Sequence, residues 1–253
     1  MTTTQGTPAT EFLIPDNRDR EAMAKLGLGG SAVAHGFQFV GAMAIDLTTI
    51  SRLAEAESIA DETRICVDQV RNGLALSGRT LDDVVKMTAY VSDEDFREEM
   101  WTSLREAWGD RPLPKVVTLV CGIAGDCRVE LEAMAFREPE AGTALETDRF
   151  VYTGALAIDV ATMKRVPEAQ GSIKDEVRVI LQRIEANLAK EGLGLQDLTK
   201  ITAWVSEEKY RLEFAYAYAE LLAPGPYPSR ALFQIGLAGD CRVQIDAMAA
   251  RRI

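Results

Sequence analysis

Histidine is almost absent from this sequence, which has one, His35, in 253 residues. The chain also has only four cysteines, and no two of them form a CxxC pair. Because zinc sites are built mainly from histidines and closely spaced cysteines, we predict no metal site, and we predict no cofactor. We interpret His35 as a loop or edge residue. The cysteines are interpreted as buried or turn thiols: Cys66, Cys121, Cys127 and Cys241.

Positive charge and long apolar runs are also scarce. Lys and Arg number 28 against 39 Asp and Glu, which gives a net charge of −11. Nucleic acids and anionic membranes are bound by basic surfaces, so neither partner is expected. No apolar run has the length of a bilayer span. The first twenty residues lack the basic head and apolar stretch of a signal peptide. We therefore expect a soluble, cytoplasmic protein.

What the sequence does contain is a long internal repeat. Residues 122–135 read GIAGDCRVELEAMA, and residues 236–249 read GLAGDCRVQIDAMA, 114 residues later. A repeat of this kind predicts one structural unit used twice. After the Gly-Asp turn, apolar residues such as Val129 and Leu131 alternate with polar ones such as Glu130, which is typical of a half-buried strand.

The two copies predict the same order of elements: strands, a helix, a strand, a second helix and two closing strands. We therefore predict an α+β fold of two tandem modules, each a mixed sheet with two helices on one face. The linker leaves little room for a separate first strand in the second copy. The predicted helices are 51–76, 92–108, 173–190 and 207–222. The predicted parts are an N-terminal irregular arm 1–20, a first module 21–137, a linker 138–146 and a second module 147–253.

The sheet face opposite the helices carries charges at alternate positions in both copies. Such a face must be covered by another module or by water, so we expect the sheets to pack against one another in an oligomeric barrel. Arg128 and Arg242 recur beside acidic residues and are predicted to form ion pairs between modules.

The closing part of the sequence resembles a known family. Pro228-Ser229-Arg230 followed by the second copy of the repeat is similar to the closing motif of the RidA/YjgF family, the reactive-intermediate imine/enamine deaminases. The resemblance covers both halves almost end to end, which implies a tandem member. It implies a chorismate-mutase-like fold, barrels of three modules and ligands in the clefts between modules. With two modules in each chain, it implies a homo-oligomer with chains in multiples of three.

The resemblance assigns the site residues unevenly. The family arginine that holds the substrate carboxylate corresponds to Arg230, where the first copy has Val116. The family acid that activates the water corresponds to Glu130, where the second copy has Gln244. A Ser-Gly pair whose backbone helps to hold the ligand corresponds to residues 40–41 and 153–154. The candidate catalytic residues are thus Arg230, Glu130 and Gln244, and the candidate substrate-binding residues are Arg230, Gly41, Thr153 and Gly154.

The implied function is hydrolytic deamination of a small enamine or imine that carries a carboxylate. This reaction needs an anchor for the carboxylate, an oriented water and a proton donor. Arg230 with Gln244 would bind a carboxylate and order a water. Glu130 would act as an acid or base if a neighbouring module brought an anchor to it.

Three other functions stay open at this point. One is a pathway-specialised hydrolase or deaminase of an aromatic or ring-opened acid, similar to aminomuconate or chorismate. Another is a non-catalytic carboxylate-binding protein, which Gln244 and Val116 favour. The family has also been called endoribonucleases, and the net charge of −11 makes that activity the least favoured.

Overall fold

The computed structural model of this chain describes residues 10–16, 19–137 and 149–252. The predicted linker 138–146 lies outside these residues. The first half forms β1 (Thr10–Leu13), α1 (Arg20–Lys25), β2 (Ser31–Ala34), β3 (Phe37–Met43), β4 (Ile45–Asp46), β5 (Ser51–Arg52), α2 (Ile59–Ala75), β6 (Val84–Val91), α3 (Arg97–Trp108), β7 (Lys115–Val120) and β8 (Val129–Phe136). The second forms β9 (Phe150–Leu156), β10 (Ile158–Asp159), β11 (Lys164–Arg165), α4 (Ile173–Ala189), β12 (Leu198–Val205), α5 (Arg211–Leu221), β13 (Ser229–Gln234) and β14 (Val243–Ala250).

Each half has one mixed sheet with two long helices on one face, so the predicted α+β class is confirmed, and the two sheets are consistent with two modules. The strand order is β1-β2-β3-β8-β6-β7 in the first sheet and β13-β12-β14-β9 in the second. The pairs β6/β7 and β12/β13 are parallel, and the other pairs are antiparallel. Within the described ranges, none of the helices combines the length and the apolar character that a bilayer span requires.

Two elements near the start of the first module differ from the prediction. Residues 10–13 of the predicted irregular arm instead form β1, which pairs antiparallel with β2. The first long helix begins at Ile59 and not at residue 51, because Ser58 and Asp61 form a capping box. The Ser58 hydroxyl accepts the Asp61 N–H at 3.0 Å, and the Asp61 carboxylate accepts the Ser58 N–H at 3.2 Å. In the second half, no counterpart of β1 and β2 lies among the described residues.

The repeated Gly-Asp-Cys-Arg turn has a local physical cause. Gly125 has a φ of +61°, and a Cβ there would lie 2.3 Å from the carbonyl oxygen of Ile50, so only glycine fits. The next residue, Asp126, accepts the backbone N–H of Arg52 at 2.6 Å. The second copy repeats both contacts with Gly239 against Met163 and with Asp240 against Arg165.

The arginine of this turn pairs within its own module. The fully buried Glu62 of α2 accepts the backbone N–H groups of Arg128 and Val129 and the Nε–H of Arg128, at 2.6, 2.9 and 2.9 Å. Glu176 and Arg242 form the same arrangement in the second module. The prediction of ion pairs between modules is therefore wrong for both arginines, which join strand to helix inside each module.

The sheet faces opposite the helices meet inside one chain. The ring of Tyr90 on β6 stacks on Phe233 of β13, with 3.9 Å between centroids. Glu132 of β8 forms an ion pair with Lys200 of β12, at 2.8 Å. The two modules therefore cover part of each other's polar sheet face, and β13 of the second module lies against the first module.

Candidate functional site

Glu130 and Arg230 reach one cleft from different modules. Glu130 lies on β8, and Arg230 lies near the start of β13, the edge strand that contacts the first module. The cleft consists of two cavities of about 130 and 80 Å³, and both residues line both cavities. The acid of the first copy and the arginine of the second copy therefore come together within a single chain.

The alternation of β13 orients Arg230. Ala231 and Phe233 are buried in the cluster between the modules. Because successive side chains of a strand point to opposite faces, Arg230 extends to the other side, toward α5. Its guanidinium carbon lies 5.7 Å from the ring centroid of Phe214 and 5.3 Å from that of Tyr218. Edge-strand position and strand alternation thus direct the guanidinium into the cleft.

The guanidinium of Arg230 has unused hydrogen-bonding capacity. Its Nε and Nη1 atoms are buried, and neither has a hydrogen-bond partner in the described part of the chain. Burial lowers the pKa of Arg230 to about 10, so it stays charged at neutral pH. A buried cation without a counter-ion is costly, and an anionic ligand would remove that cost.

Glu130 is a buried carboxyl that carries its proton at neutral pH. It is 7% exposed, and none of the ion pairs found within the described ranges includes it. Burial is the largest cause that raises the pKa of Glu130 to about 8, and the neighbouring Glu132 raises it further. Arg211 and Arg230 act in the opposite direction. Glu132 itself is paired with Lys200, so the two carboxyls of β8 have different environments.

The remaining lining of the cleft is mostly aliphatic. Gly41 of β3 lies in the larger cavity, and a Cβ at this position would meet no atom within 4 Å, so the backbone is open to a ligand. The apolar residues that line one or both cavities are Pro15, Met23, Leu26, Leu28, Val40, Ala42, Met43, Ile45, Leu47, Ile50, Ala124, Leu212, Ala215 and Leu232.

The N-terminal segment supplies part of this wall, which the sequence prediction missed. Residues 26–30 pass so close to the second module that a Cβ on Gly29 would lie 1.6 Å from the carbonyl oxygen of Tyr227. Gly30 has a φ of +70°. The adjacent glycines Gly29 and Gly30 were the signal for this contact in the sequence, since glycine often marks a place where the backbone is closely approached.

The candidate residues of the second copy lie away from this cleft. Neither cavity that Arg230 lines includes Gln244, Thr153 or Gly154 among its described residues. Gln244 is opposite Leu156 and Trp204 in its sheet, and the Thr153 hydroxyl accepts a hydrogen bond from Asn187 at 3.2 Å. The structure therefore joins Arg230 with Glu130 and Gly41, and does not join it with Gln244.

Arg211 is a further residue of the cleft that sequence reasoning did not select. It is 3% exposed and lines the smaller cavity. Its Nη2 donates to the carbonyl oxygen of Gly122 in the first module at 3.0 Å, and its Nη1 donates to that of Leu232 in the second at 2.5 Å. The equivalent Arg97 pairs with Glu94 near the surface. Arg211 therefore connects the two walls of the cleft.

The cysteines and His35 have structural environments. Burial raises the pKa of Cys121 and Cys127 to about 12 and that of Cys241 to about 11, so these groups are thiols at neutral pH. The Cys127 thiol donates to the carbonyl oxygen of Ala44 at 3.7 Å. His35 has a φ of 49° in the turn between β2 and β3.

A comparison with protein families matches the second half of the chain. The model described as Endoribonuclease L-PSP matches residues 142–251. Two RutC family proteins are similar over 80 residues: one of Pyrococcus horikoshii at 30% identity and one of Pyrococcus abyssi at 29%. Each match covers 32% of this chain and, respectively, 64% and 63% of the relative. The chain thus spans less than two thirds of the length of these relatives.

Solved structures also match about half of the chain. A member of the YjgF/YER057c/UK114 family from Mycobacterium tuberculosis is 24% identical, with a TM-score of 0.40, and the match covers 51% of this chain and 99% of that one. A protein of the Rid family from Yersinia pestis is 16% identical, with a TM-score of 0.42, and the match covers 51% of this chain and all of that one.

Proposed function

We propose that this chain is a member of the Endoribonuclease L-PSP family, also named RidA/YjgF, whose model matches residues 142–251, and that it is an imine or enamine deaminase. Its substrate would be a small enamine or imine that carries a carboxylate, and its product a 2-oxo acid. The observation that carries the proposal is the presence of Glu130 and Arg230 in one cleft.

In this proposal Arg230 anchors the substrate carboxylate. A guanidinium binds a carboxylate through two parallel N–H···O bonds, which Nη2 makes together with either Nη1 or Nε. The buried Nε and Nη1 of Arg230 have no other partner in the described chain. An anchored substrate has its imine carbon held at a fixed place in the cleft, which removes most of the entropy cost of the reaction. The open backbone at Gly41 leaves room for the ligand.

Glu130 transfers the protons. Its acid form donates a proton to the imine nitrogen, or to the enamine carbon, and yields an iminium ion. Water then adds to the iminium carbon and gives its proton to the Glu130 carboxylate. Glu130 next protonates the amino group and accepts the hydroxyl proton while the C–N bond breaks and ammonia leaves. Glu130 is protonated at the start and at the end, and a pKa of about 8 suits both directions near neutral pH.

The cleft favours a small aliphatic substrate. The larger cavity of about 130 Å³ is lined mostly by aliphatic side chains. This lining supports an amino-acid-derived imine over an aromatic or chorismate-like acid. The narrow cleft and the net charge of −11 also favour a small molecule over RNA, although the family model bears the name of an endoribonuclease.

The proposal includes a homo-oligomer with chains in multiples of three and a cytoplasmic location. The outer strand β7 exposes Val117, Leu119 and Val120, and Tyr152 of the outer strand β9 is 74% exposed. Apolar edge strands of this kind are usually covered by another chain. The four cysteines are free thiols, which suits a reducing compartment.

The proposal is tested by release of 2-oxo acid from imines formed in situ by an amino-acid oxidase acting on L-alanine or L-2-aminobutyrate. We expect the wild-type chain to accelerate this release and Arg230→Ala to lose the acceleration while keeping the assembly intact. Val116→Ala, at the equivalent position of the first copy, is the matched control and should keep full activity. Equal rates for the wild type and Arg230→Ala would refute the role of Arg230.

A further inference from the structure

Two aromatic rings of α5 lie under the guanidinium of Arg230. Phe214 and Tyr218 are four residues apart on one face of the helix, and both are fully buried. Their rings are 5.6 Å apart at an angle of 21°. The guanidinium carbon lies 5.7 Å from the first centroid and 5.3 Å from the second, within the range of a cation–π contact.

The first module has neither the arginine nor the two rings at the equivalent positions. The residues 114 positions earlier are Val116 for Arg230, Met100 for Phe214 and Leu104 for Tyr218. Met100 and Leu104 are also fully buried, in the same helix of the same fold. Aliphatic side chains therefore fill this part of the core in the first module, and the fold alone does not require aromatic rings.

We propose that Phe214 and Tyr218 are positioning residues that form an aromatic platform for Arg230 and thereby set the affinity of the cleft for carboxylates. The inference rests on the proposed function and adds two residues to its site. Ring faces stabilise a cation without accepting its N–H groups in the plane of the guanidinium. An aspartate or glutamate in their place would neutralise the charge and occupy the donors. The aromatic platform leaves both the positive charge and the N–H donors of Arg230 available to a ligand.

The position of the platform is itself fixed by packing. A Cβ on Gly27 would lie 2.7 Å from Cδ1 of Tyr218, so the end of the N-terminal helix lies directly against this ring. Gly27 also has a φ of +65°, which strongly favours glycine. Tyr218 thus lies between the N-terminal segment and Arg230. The hydroxyl of Tyr218 has no hydrogen-bond partner within the described residues, and Tyr218→Phe separates its contribution from that of the ring.

Calorimetric binding of 2-oxobutyrate to the full chain tests the platform. Tyr218→Leu and Phe214→Met, which introduce the residues of the first module, should each weaken binding about tenfold. Tyr218→Phe keeps the ring and should bind within about twofold of the wild type. Methyl 2-oxobutyrate lacks the negative charge, so its binding should not differ between the wild type and Tyr218→Leu. Leu104→Met is the matched core control in the first module.

The free protein gives a readout that does not depend on any ligand. The Nε–H NMR signal of Arg230, identified by its loss in Arg230→Lys, should be shifted upfield by the ring currents of both rings, and Tyr218→Leu should reduce the shift. A signal without this shift in the wild type overturns the inference. So does unchanged 2-oxobutyrate affinity in both folded platform variants. If the shift is present but the wild type binds no 2-oxobutyrate, the proposed function fails while the platform stands.

Discussion

Glu130 of the first module and Arg230 of the second line the same cleft and influence each other's charge. Arg230 favours the ionised form of Glu130, and Glu130 favours the charged form of Arg230. At the equivalent positions of the repeat the chain has Gln244 and Val116, so the acid and the anchor each occur once. The packing of the two modules therefore brings this acid and this anchor together in one cleft.

The pH dependence of the proposed reaction should reflect the acid form of Glu130. Since its pKa is about 8, the proton donor is present below this pH and is lost above it. We expect kcat/KM to fall as pH rises through about 8, by about tenfold for each further unit. Glu130→Gln should lower kcat about a hundredfold and remove this fall of kcat/KM, the falling limb of the pH profile. A profile that rises through pH 8 would contradict the role of Glu130 as the initial acid.

Stability should depend on the same carboxyl in a predictable direction. The pKa of Glu130 rises from an ordinary value of 4.5 to about 8 on folding. The folded state keeps this proton to a higher pH than the unfolded state does. The free energy of unfolding is therefore highest below pH 4.5 and falls as pH rises toward 8. Relative to the wild type, Glu130→Gln should therefore gain stability between pH 5 and 8, by at most about 1.4 kcal/mol per pH unit.

The control for this measurement is Glu132→Gln. Glu132 is paired with Lys200, so its loss should destabilise the chain at pH 5. Because burial contributes more than Glu132 to the raised pKa of Glu130, any gain with rising pH should be much smaller than in Glu130→Gln. Urea unfolding followed at pH 5, 6.5 and 8 measures both variants. An equal free-energy difference between the wild type and Glu130→Gln at all three pH values would show that Glu130 does not titrate in this range.

Most of the fold could be predicted because its signals are local. Alternation predicts β8 and β14, and the repeat transfers each element from one copy to the other. The predicted helix 173–190 agrees within one residue with α4, Ile173–Ala189. The strand β1 was missed because four residues carry little pattern and their partner is β2, some twenty residues later. The start of α2 was misplaced because the capping box at Ser58 was not weighed.

The candidate site could be predicted only in parts. Motif resemblance selected Glu130 and Arg230 separately, but no local pattern indicates which module faces which. The role of Arg211 depends on that packing because it bonds Gly122 of the other module, and the role of Phe214 depends on how α5 packs on β13 of its own module. One usable signal was present in the sequence: Val116 and Met100 differ from Arg230 and Phe214 at the same offset.

Arg211 should adjust both the closure of the cleft and the acidity of Glu130. Its positive charge favours the ionised form of Glu130, so Arg211→Met should raise the pKa of Glu130 and move the falling limb of kcat/KM to higher pH. It should also loosen the contact between Gly122 and Leu232. Arg97→Met, at the equivalent and partly exposed position of the first module, is the control and should leave the pH dependence of kcat/KM unchanged. A loss of stability without any shift of the limb would indicate a purely structural role.

The buried pairs of the two repeated turns should be among the strongest polar contacts of the fold. Glu62 accepts three hydrogen bonds from Arg128 and Val129 while fully buried. Glu62→Gln removes the charge and leaves at least one donor badly matched, so we expect a loss of about 2–4 kcal/mol in urea unfolding. Asp68→Asn, which affects a half-exposed pair with Arg71 on the same helix, should cost about 1 kcal/mol or less. Equal losses for the two variants would contradict this ranking.

The assembly can be tested by charge reversal at two exposed residues. Lys86 and Asp246 are both exposed and occupy the repeat positions of Lys200 and Glu132, which pair between the modules of one chain. If copies of the chain repeat that contact, Lys86 of one copy meets Asp246 of the next.

Light scattering should then show an assembly of three chains, or a multiple of three, for the wild type. Lys86→Glu should reduce its mass, and adding Asp246→Lys should restore it, because the opposite charges face each other again. Lys190→Glu, an equal charge change elsewhere on the surface, should leave the mass unchanged. A wild-type monomer, or a mass that Lys86→Glu does not alter, would contradict this interface.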